Sequence, residues 1–312
     1  MRLDQLLQAA TGQLEAAGLA YGHGTTNARD EAAWLTLWKL GLPLDADLDE
    51  LAGRDCTGPE VEAVLALIRL RISTRKPAAY LTHEAWLQGL PFYVDERVIV
   101  PRSFLAEFIA AAEGAENIDG WLGEHTSKVL DLCTGNGSLA VIAALAWPEV
   151  TVDAADISPD ALAVARINVD KHGLQDRIRL VESDGWQNLP GQYDLILCNP
   201  PYVCRQGMDS LPAEYRAEPL ISLDGGLQGS EDGMDFVRHL LDHVLEHLNE
   251  GGVLLLEIGN EREHFERAFP ELLGYWPETT SGEGPVVLLT HEALAGWQAT
   301  RGISSGVEGM DA

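Results

Sequence analysis

Apolar residues recur along this chain with two different periods. In residues 1–75 the spacing is roughly helical, as at Leu3, Leu6, Leu7, Leu14 and Leu19. Asn27 stands where an N-cap belongs, ahead of Ala32, Trp34, Leu35 and Trp38, and Gly41-Leu42-Pro43 stops that helix. Thr57-Gly58-Pro59-Glu60 reads as a capping box with proline near the first turn, opening an apolar face at Val61, Val64, Leu65, Ile68 and Ile72. A small helical domain is predicted. Residues 76–104 change character. A Gly/Pro break at Gly89-Leu90-Pro91, between aromatic-rich pieces, predicts a hairpin linker, followed by Val98-Ile99-Val100-Pro101-Arg102-Ser103. Over 105–300, short apolar strands (128–130, 150–155, 178–181, 193–198, 252–258 and 286–289) alternate with helical stretches. That alternation predicts an α/β domain: a parallel sheet with helices on both faces. Residues 301–312 are small and polar and are expected to be a disordered tail.

Composition narrows the class. Of 312 residues, 46 % are hydrophobic and 22 % charged, which fits a globular chain of one large and one small domain. The longest apolar runs, such as Val141–Trp147, are too short to span a bilayer, so no membrane association is expected. The N-terminus lacks the basic-then-apolar pattern of a secretion signal. Four cysteines do not make a disulfide framework; reduced thiols and a cytoplasmic location are expected. Cys198 and Cys204 lack zinc-knuckle spacing and have no histidine nearby in sequence, so no metal site is predicted. Acidic residues number 49 against 21 basic ones, a net charge of −28. Such a chain repels nucleic acid, so no direct DNA binding is expected, and it attracts a basic partner. The same acidity also serves solubility or salt adaptation, and composition alone does not separate these readings.

Ligands of open parallel sheets bind at the carboxyl ends of the strands. Four successive strand ends here carry Asp131, Asp156, Asp184 and Asn199. The turn Asp131-Leu132-Cys133-Thr134-Gly135-Asn136-Gly137 lets backbone approach a ligand closely, because Gly135 and Gly137 have no Cβ. Gly135-x-Gly137-x-x-Ala140 also fits a dinucleotide fingerprint, and in either reading Asp156 would take two ribose hydroxyls. Asp131 favours the methyl donor S-adenosylmethionine: an acid repels a pyrophosphate and suits a cationic amino-acid end. Asp184, followed by Gly185, is placed to accept from an adenine amine.

Asn199-Pro200-Pro201-Tyr202 follows the fourth strand. Two prolines end the ladder and stiffen the turn. The Asn199 carboxamide oxygen and the Pro200 carbonyl can receive both hydrogens of a planar NH2 group, while Tyr202 offers an aromatic face to it. An amide nitrogen is a poor nucleophile because its lone pair is delocalised into the carbonyl. Holding the NH2 in this clamp favours pyramidal character and aims the lone pair at a methyl donor.

Asp131-x-x-x-Gly135-x-Gly137 together with Asn199-Pro200-Pro201-Tyr202 resembles the class I amino-methyltransferases, which include DNA amino-methylases and the HemK-type protein-(glutamine-N5) methyltransferases. The runs 76–82, 92–103, 156–162, 215–219 and 256–260 are similar to the glutamine branch, and Pro101-Arg102-Ser103 to its ribosomal-protein type rather than its release-factor type. The resemblance implies a class I S-adenosylmethionine-dependent methyltransferase fold, with a Rossmann-like, mostly parallel seven-stranded sheet, a small N-terminal helical domain and a connecting β-hairpin. It further implies methylation of a glutamine side-chain amide in the third large-subunit ribosomal protein, a basic substrate met before or during assembly. Cofactor contacts are implied at Asp131, Cys133, Thr134, Gly135, Asn136, Gly137, Asp156, Ile157, Asp184, Gly185 and Asn199, and substrate contacts at Arg102 and Asn199 to Tyr202. Catalysis would rest on Asn199, Pro200 and Tyr202. Gly185-Trp186 departs from the family's bulky residue after the acid, which puts the adenine-edge contact in doubt.

Two further features stand outside this reading. His239, His243 and His247 share a helix face among charged residues and are expected to be solvated. The glycine-rich run 224–229 is expected to be a mobile loop near the substrate entrance.

Overall fold

The computed structural model describes residues 1–110, 118–123, 126–189, 191–226 and 228–302. Residues 303–312, on which most of the expected tail falls, lie outside the described residues. The local signals at helix starts act as read. Asn27 accepts from the Asp30 N–H ahead of the helix Ala28–Lys39, and Thr57 with Glu60 forms a reciprocal capping box at the helix Gly58–Thr74. Together with Leu3–Ala16 these helices enclose a core of Leu3, Leu6, Leu14, Leu35, Val64 and Ile68.

The hairpin pairs β1 (Ala85–Leu87) with β2 (Leu90–Phe92), antiparallel, through a turn at Gln88 and Gly89, both at positive φ. The main sheet contains β3 (Lys128–Leu132), β4 (Thr151–Asp156), β5 (Ile178–Glu182), β6 (Tyr193–Cys198) and β7 (Leu248–Glu257). A two-residue pair, β8 (Glu278–Thr279) and β9 (Gly282–Glu283), precedes β10 (Val286–Thr290). The order is β10-β7-β6-β3-β4-β5, with β10 antiparallel and the rest parallel. One face packs Leu139, Val141 and Ile142 of the helix Ser138–Ala146. The other packs Val237, Leu240 and Leu241 of the helix Asp235–His247 and Leu294 and Trp297 of the helix His291–Thr300, which the sequence reading did not foresee.

Among the described residues this sheet has six strands. The seventh position, beyond β10, is a single antiparallel bridge between Tyr275 and Leu288. Gly274 lies so close to β10 that a Cβ there would stand 2.4 Å from Val287 Cγ2, and Pro277 lacks the N–H a longer ladder needs.

Two buried polar knots join the parts. Asn168, fully buried on the helix Pro159–Lys171, accepts from the Tyr93 N–H at 2.7 Å and donates to the carbonyls of Tyr93 at 3.0 Å and Asn136 at 2.8 Å. It thereby ties the hairpin to the turn after β3. The second knot docks residues 214–218 on the helical bundle. Buried Arg71 lies 2.8 Å from Glu31 and 3.8 Å from Glu214, whose carboxylate is also 2.8 Å from Arg75. Arg102 pairs with both oxygens of Glu218, at 2.6 and 2.8 Å, and His23 stands 3.5 Å from the same carboxylate. Burial works to raise the Glu218 pKa, but the Arg102 and His23 charges hold it down at about 2.

Removing one partner of a buried ion pair strands the other charge. Arg71→Met is expected to destabilise the protein by about 3–5 kcal/mol, read as a lower urea midpoint at unchanged slope. A midpoint shift worth less than about 1 kcal/mol, the usual size for exposed pairs, would show Glu31 and Glu214 to be solvated after the change.

Candidate active site

The turn after β3 is held by its own acids. Asp131 is fully buried, and its Oδ2 accepts from the Thr134 hydroxyl and from the Ala140 N–H. Its Oδ1 is buried with no hydrogen-bond partner. Burial therefore pushes the Asp131 carboxyl up to about 7, with the Asp156 charge adding to the shift and the two bonds opposing it. Asp156, ending β4, accepts from the N–H groups of Gly135 and Ser158, one on each oxygen, both at 2.9 Å; burial raises its pKa too.

Cys133 and Gly135 both adopt left-handed backbone, with φ of +63° and +55°. A Cβ on Gly135 would meet no protein atom within 4 Å, so packing does not demand glycine there. Gly137 differs: a Cβ would stand 3.1 Å from that of Ala165, so this glycine lets two helices approach. Thr134 and Asn136 are buried beneath the turn, where the Asn136 oxygen accepts from the Ser138 N–H.

A cleft of about 270 Å³ opens over these strand ends. It is lined by Cys133, Gly135, Asp156, Ile157, Asp184, Gly185, Asn199 and Pro201, all expected from the sequence. Asp131, Thr134, Asn136, Gly137, Pro200 and Tyr202 do not line it. The sequence reading missed Ile99, Ile221, Asp235 and Phe236, which also line the cleft. They come from segments far apart in the chain, and no local pattern marks them. Ile157 and Ile221 leave 46 % and 44 % of their surfaces open, giving the acid-rimmed cleft apolar walls. The expected entrance loop forms part of this wall through Asp224, Gly225 and Gln228. It is pinned: Asp235 accepts from the Gln228 and Ser230 N–H groups, and the Gly225 N–H donates to Val203.

Asn199 leaves β6 with a side chain that has no hydrogen-bond partner among the described residues, and no donor among them reaches the Pro200 carbonyl. Tyr202 donates its hydroxyl to Glu257 at 3.3 Å. Arg102, a further expected substrate contact, does not line the cleft; its guanidinium donates to both oxygens of Glu218 and to the Val100 carbonyl.

Two minor expectations need correction. Of the three histidines, His239 and His243 are exposed as read, His239 lying beside Gly185, but His247 is half-buried and stacks on Trp186 with centroids 4.4 Å apart. That stack explains Trp186, which turns into the core instead of following the acid outward. Cys204 does have a histidine nearby in space: it groups with Glu261 and His264, their ligand atoms all within 4.8 Å. These atoms are already engaged, His264 with Glu261 at 2.5 Å and the Cys204 sulfur with the Gly207 N–H at 3.4 Å.

The pattern of the family described as methyltransferase small domain matches residues 115–213. The chain is 47 % identical over 295 residues to the ribosomal protein uL3 glutamine methyltransferase of Bordetella pertussis, covering 94 % of this chain and 96 % of that one. It is 46 % identical over 296 residues to the protein of the same name from Neisseria meningitidis serogroup B, covering 94 % of each. Among solved structures, the hMettl16 catalytic domain in complex with an RNA hairpin matches with a TM-score of 0.48 at 17 % identity, covering 77 % of this chain and 86 % of that one. Among the described residues no helix is long and apolar enough to cross a membrane.

Because the folded-state pKa of Asp131 lies above its unfolded value, this group supports the fold fully below about pH 4. That support is lost as pH rises through about 7. In the ligand-free protein, Asp131→Asn is expected to raise Tm relative to wild type progressively between those limits. A Tm difference independent of pH in thermal scans would show that the buried carboxyl does not titrate there.

Proposed function

The chain belongs to the ribosomal protein uL3 glutamine methyltransferases, and from that premise we propose that it uses S-adenosylmethionine to methylate N(5) of one glutamine in uL3. The observation that carries this reading is the joint geometry of β3 and β6. An unmatched buried carboxylate oxygen on Asp131 lies under the same strand-end turn as a cleft that also holds the uncommitted Asn199 carboxamide.

The residues fit the donor. The unpartnered Asp131 Oδ1 asks for a cation or a donor, and an α-ammonium group supplies both. Gly135 leaves open space where a Cβ would stand. Asp156 keeps lone pairs for ribose hydroxyls, Asp184 at the rim accepts an adenine amine, and Ile157 and Ile221 wall the base. When bound, the donor supplies an electrophilic methyl on a sulfonium.

The chain's own groups do the rest. The Asn199 oxygen and Pro200 carbonyl accept both amide hydrogens of the substrate, opposing delocalisation of its lone pair, and Tyr202 faces the amide plane. Fixing the nucleophile in this way contributes about 7–11 kcal/mol in favourable cases. Once methylated, the nitrogen is acidic, so a strong base is not required. Arg102 positions the turn through Glu218 rather than touching the substrate. Residues 1–75 and the hairpin linker 76–104 hold the substrate beside the domain 105–300, and the net charge of −28 draws a basic protein to it.

The test is intact-mass analysis of purified uL3 and of a peptide release factor after incubation with enzyme and S-adenosylmethionine. uL3 is expected to gain one methylene unit; a gain on the release factor alone would overturn the substrate assignment. Asn199→Ala is expected to lower kcat, read at saturating donor, by about 100- to 1,000-fold, the cost of losing one well-aimed polar group. Near-wild-type turnover in that variant would remove Asn199 from its role.

A further inference from the structure

Glu257 is the last residue of β7, it is buried to 2 % exposure, and no step above uses it. Its Oε2 accepts from the Ser103 hydroxyl at 2.6 Å and from the Phe104 N–H at 2.9 Å. Its Oε1 accepts from the Tyr202 hydroxyl at 3.3 Å. The Ser103 oxygen in turn accepts from the Leu105 N–H at 3.2 Å, which aims its single hydrogen at Glu257. Two residues beyond Glu257, Gly259 holds a φ of +53° beneath the Tyr202 ring; a Cβ there would stand only 2.6 Å from the ring's Cε2. One strand end thus holds the tyrosine twice, by its hydroxyl and by its face.

The neighbouring cation does not neutralise this carboxyl directly, because Arg102 is committed to Glu218. Burial pushes Glu257 up to about 7, against the bonds from Ser103 and Phe104 and the charge of Arg102. A carboxyl kept at that cost, bonded to the tyrosine of the Asn-Pro-Pro-Tyr turn, points to a role in placing it.

We propose that Glu257 and Ser103 are positioning residues for methyl transfer, fixing the ring plane of Tyr202 against which the substrate amide lies. The proposal rests on the function proposed above and adds to it a chain of hydrogen bonds from the hairpin linker to the reacting turn. Ser103 holds Glu257, Glu257 holds the Tyr202 hydroxyl, and Tyr202 orients the amide.

A mutant cycle on the full chain tests it, with uL3 as acceptor. Tyr202→Phe and Glu257→Met, which keeps the side-chain length but no acceptor, are each expected to lower kcat by about 10- to 100-fold, the scale of a small misplacement at the reacting centre. The KM for S-adenosylmethionine is expected to stay unchanged. The double variant is expected to be no slower than the slower single one, since both remove the same contact. Ser103→Ala is expected to lose activity and Ser103→Thr, which keeps the hydroxyl, to retain it. Multiplying defects in the double variant, or wild-type kcat in a folded Glu257→Met or Ser103→Ala protein, would overturn the proposal. If Glu257→Met does not fold, the Ser103 pair decides alone. If the wild-type enzyme transfers no methyl to uL3, the function reading fails and the positioning is read separately, by fluorine NMR of 3-fluorotyrosine placed at position 202. A resonance unmoved by Ser103→Ala would then refute the relay.

Discussion

Burying a carboxyl group without a cation is the constraint around which this site is organised. β6 runs between β3 and β7, so Asn199 leaves the sheet flanked by two fully buried acids, Asp131 on one neighbouring strand and Glu257 on the other. Desolvation pushes both to about 7. They are satisfied differently. Glu257 is bonded on both oxygens by protein groups, so it orders the turn beside it. Asp131 is bonded on one oxygen only, so it orders its own loop and leaves its other oxygen without a protein partner. The parallel sheet supplies this arrangement cheaply, because register alone brings the ends of three strands side by side.

Much of this was legible along the chain, and the parts that were not share a cause. Asn27, Thr57 and Ser158 announce helix starts because capping is satisfied within three residues. The acids at 131 and 156 and the Asn199 turn could be read because each strand delivers its end residue to the same edge. Ile99, Ile221 and Phe236 were invisible because cleft walls are assembled from segments whose meeting depends on tertiary packing. The pairing of Arg102 with Glu218, 116 residues away, was invisible for the same reason. Cys204 and His264, 60 residues apart in number, meet only through the fold. The seventh strand shrinks to one bridge because Gly274 and Pro277 flank it, a local effect that a count of strands by resemblance does not resolve.

The arrangement of cations sharpens the meaning of the acidic composition. With only 21 basic residues, the chain places Arg71, Arg75 and Arg102 in its internal carboxylate knot and turns Arg177 inward onto the carbonyls of Ala144, Trp147 and Val150. The three arginines of the knot meet three buried acids, Glu31, Glu214 and Glu218, so the knot withdraws base and acid in equal number and leaves the exterior strongly acidic. Such a surface suits long-range attraction of a basic protein and a marked sensitivity of encounter to salt.

Asn168 carries a consequence for how the molecule can be divided. Its one carboxamide closes three bonds, two to Tyr93 in the hairpin region and one to Asn136 in the cofactor turn. Excising residues 105–300 as an independent catalytic unit would leave that buried amide with two vacant valences and strip Val94, Val98 and Val100 from the helix they cover. The piece that holds the methyl donor is thus not a detachable module. Chimaeras that graft one enzyme's recognition segment onto another's catalytic portion must carry the hairpin across with the turn it braces.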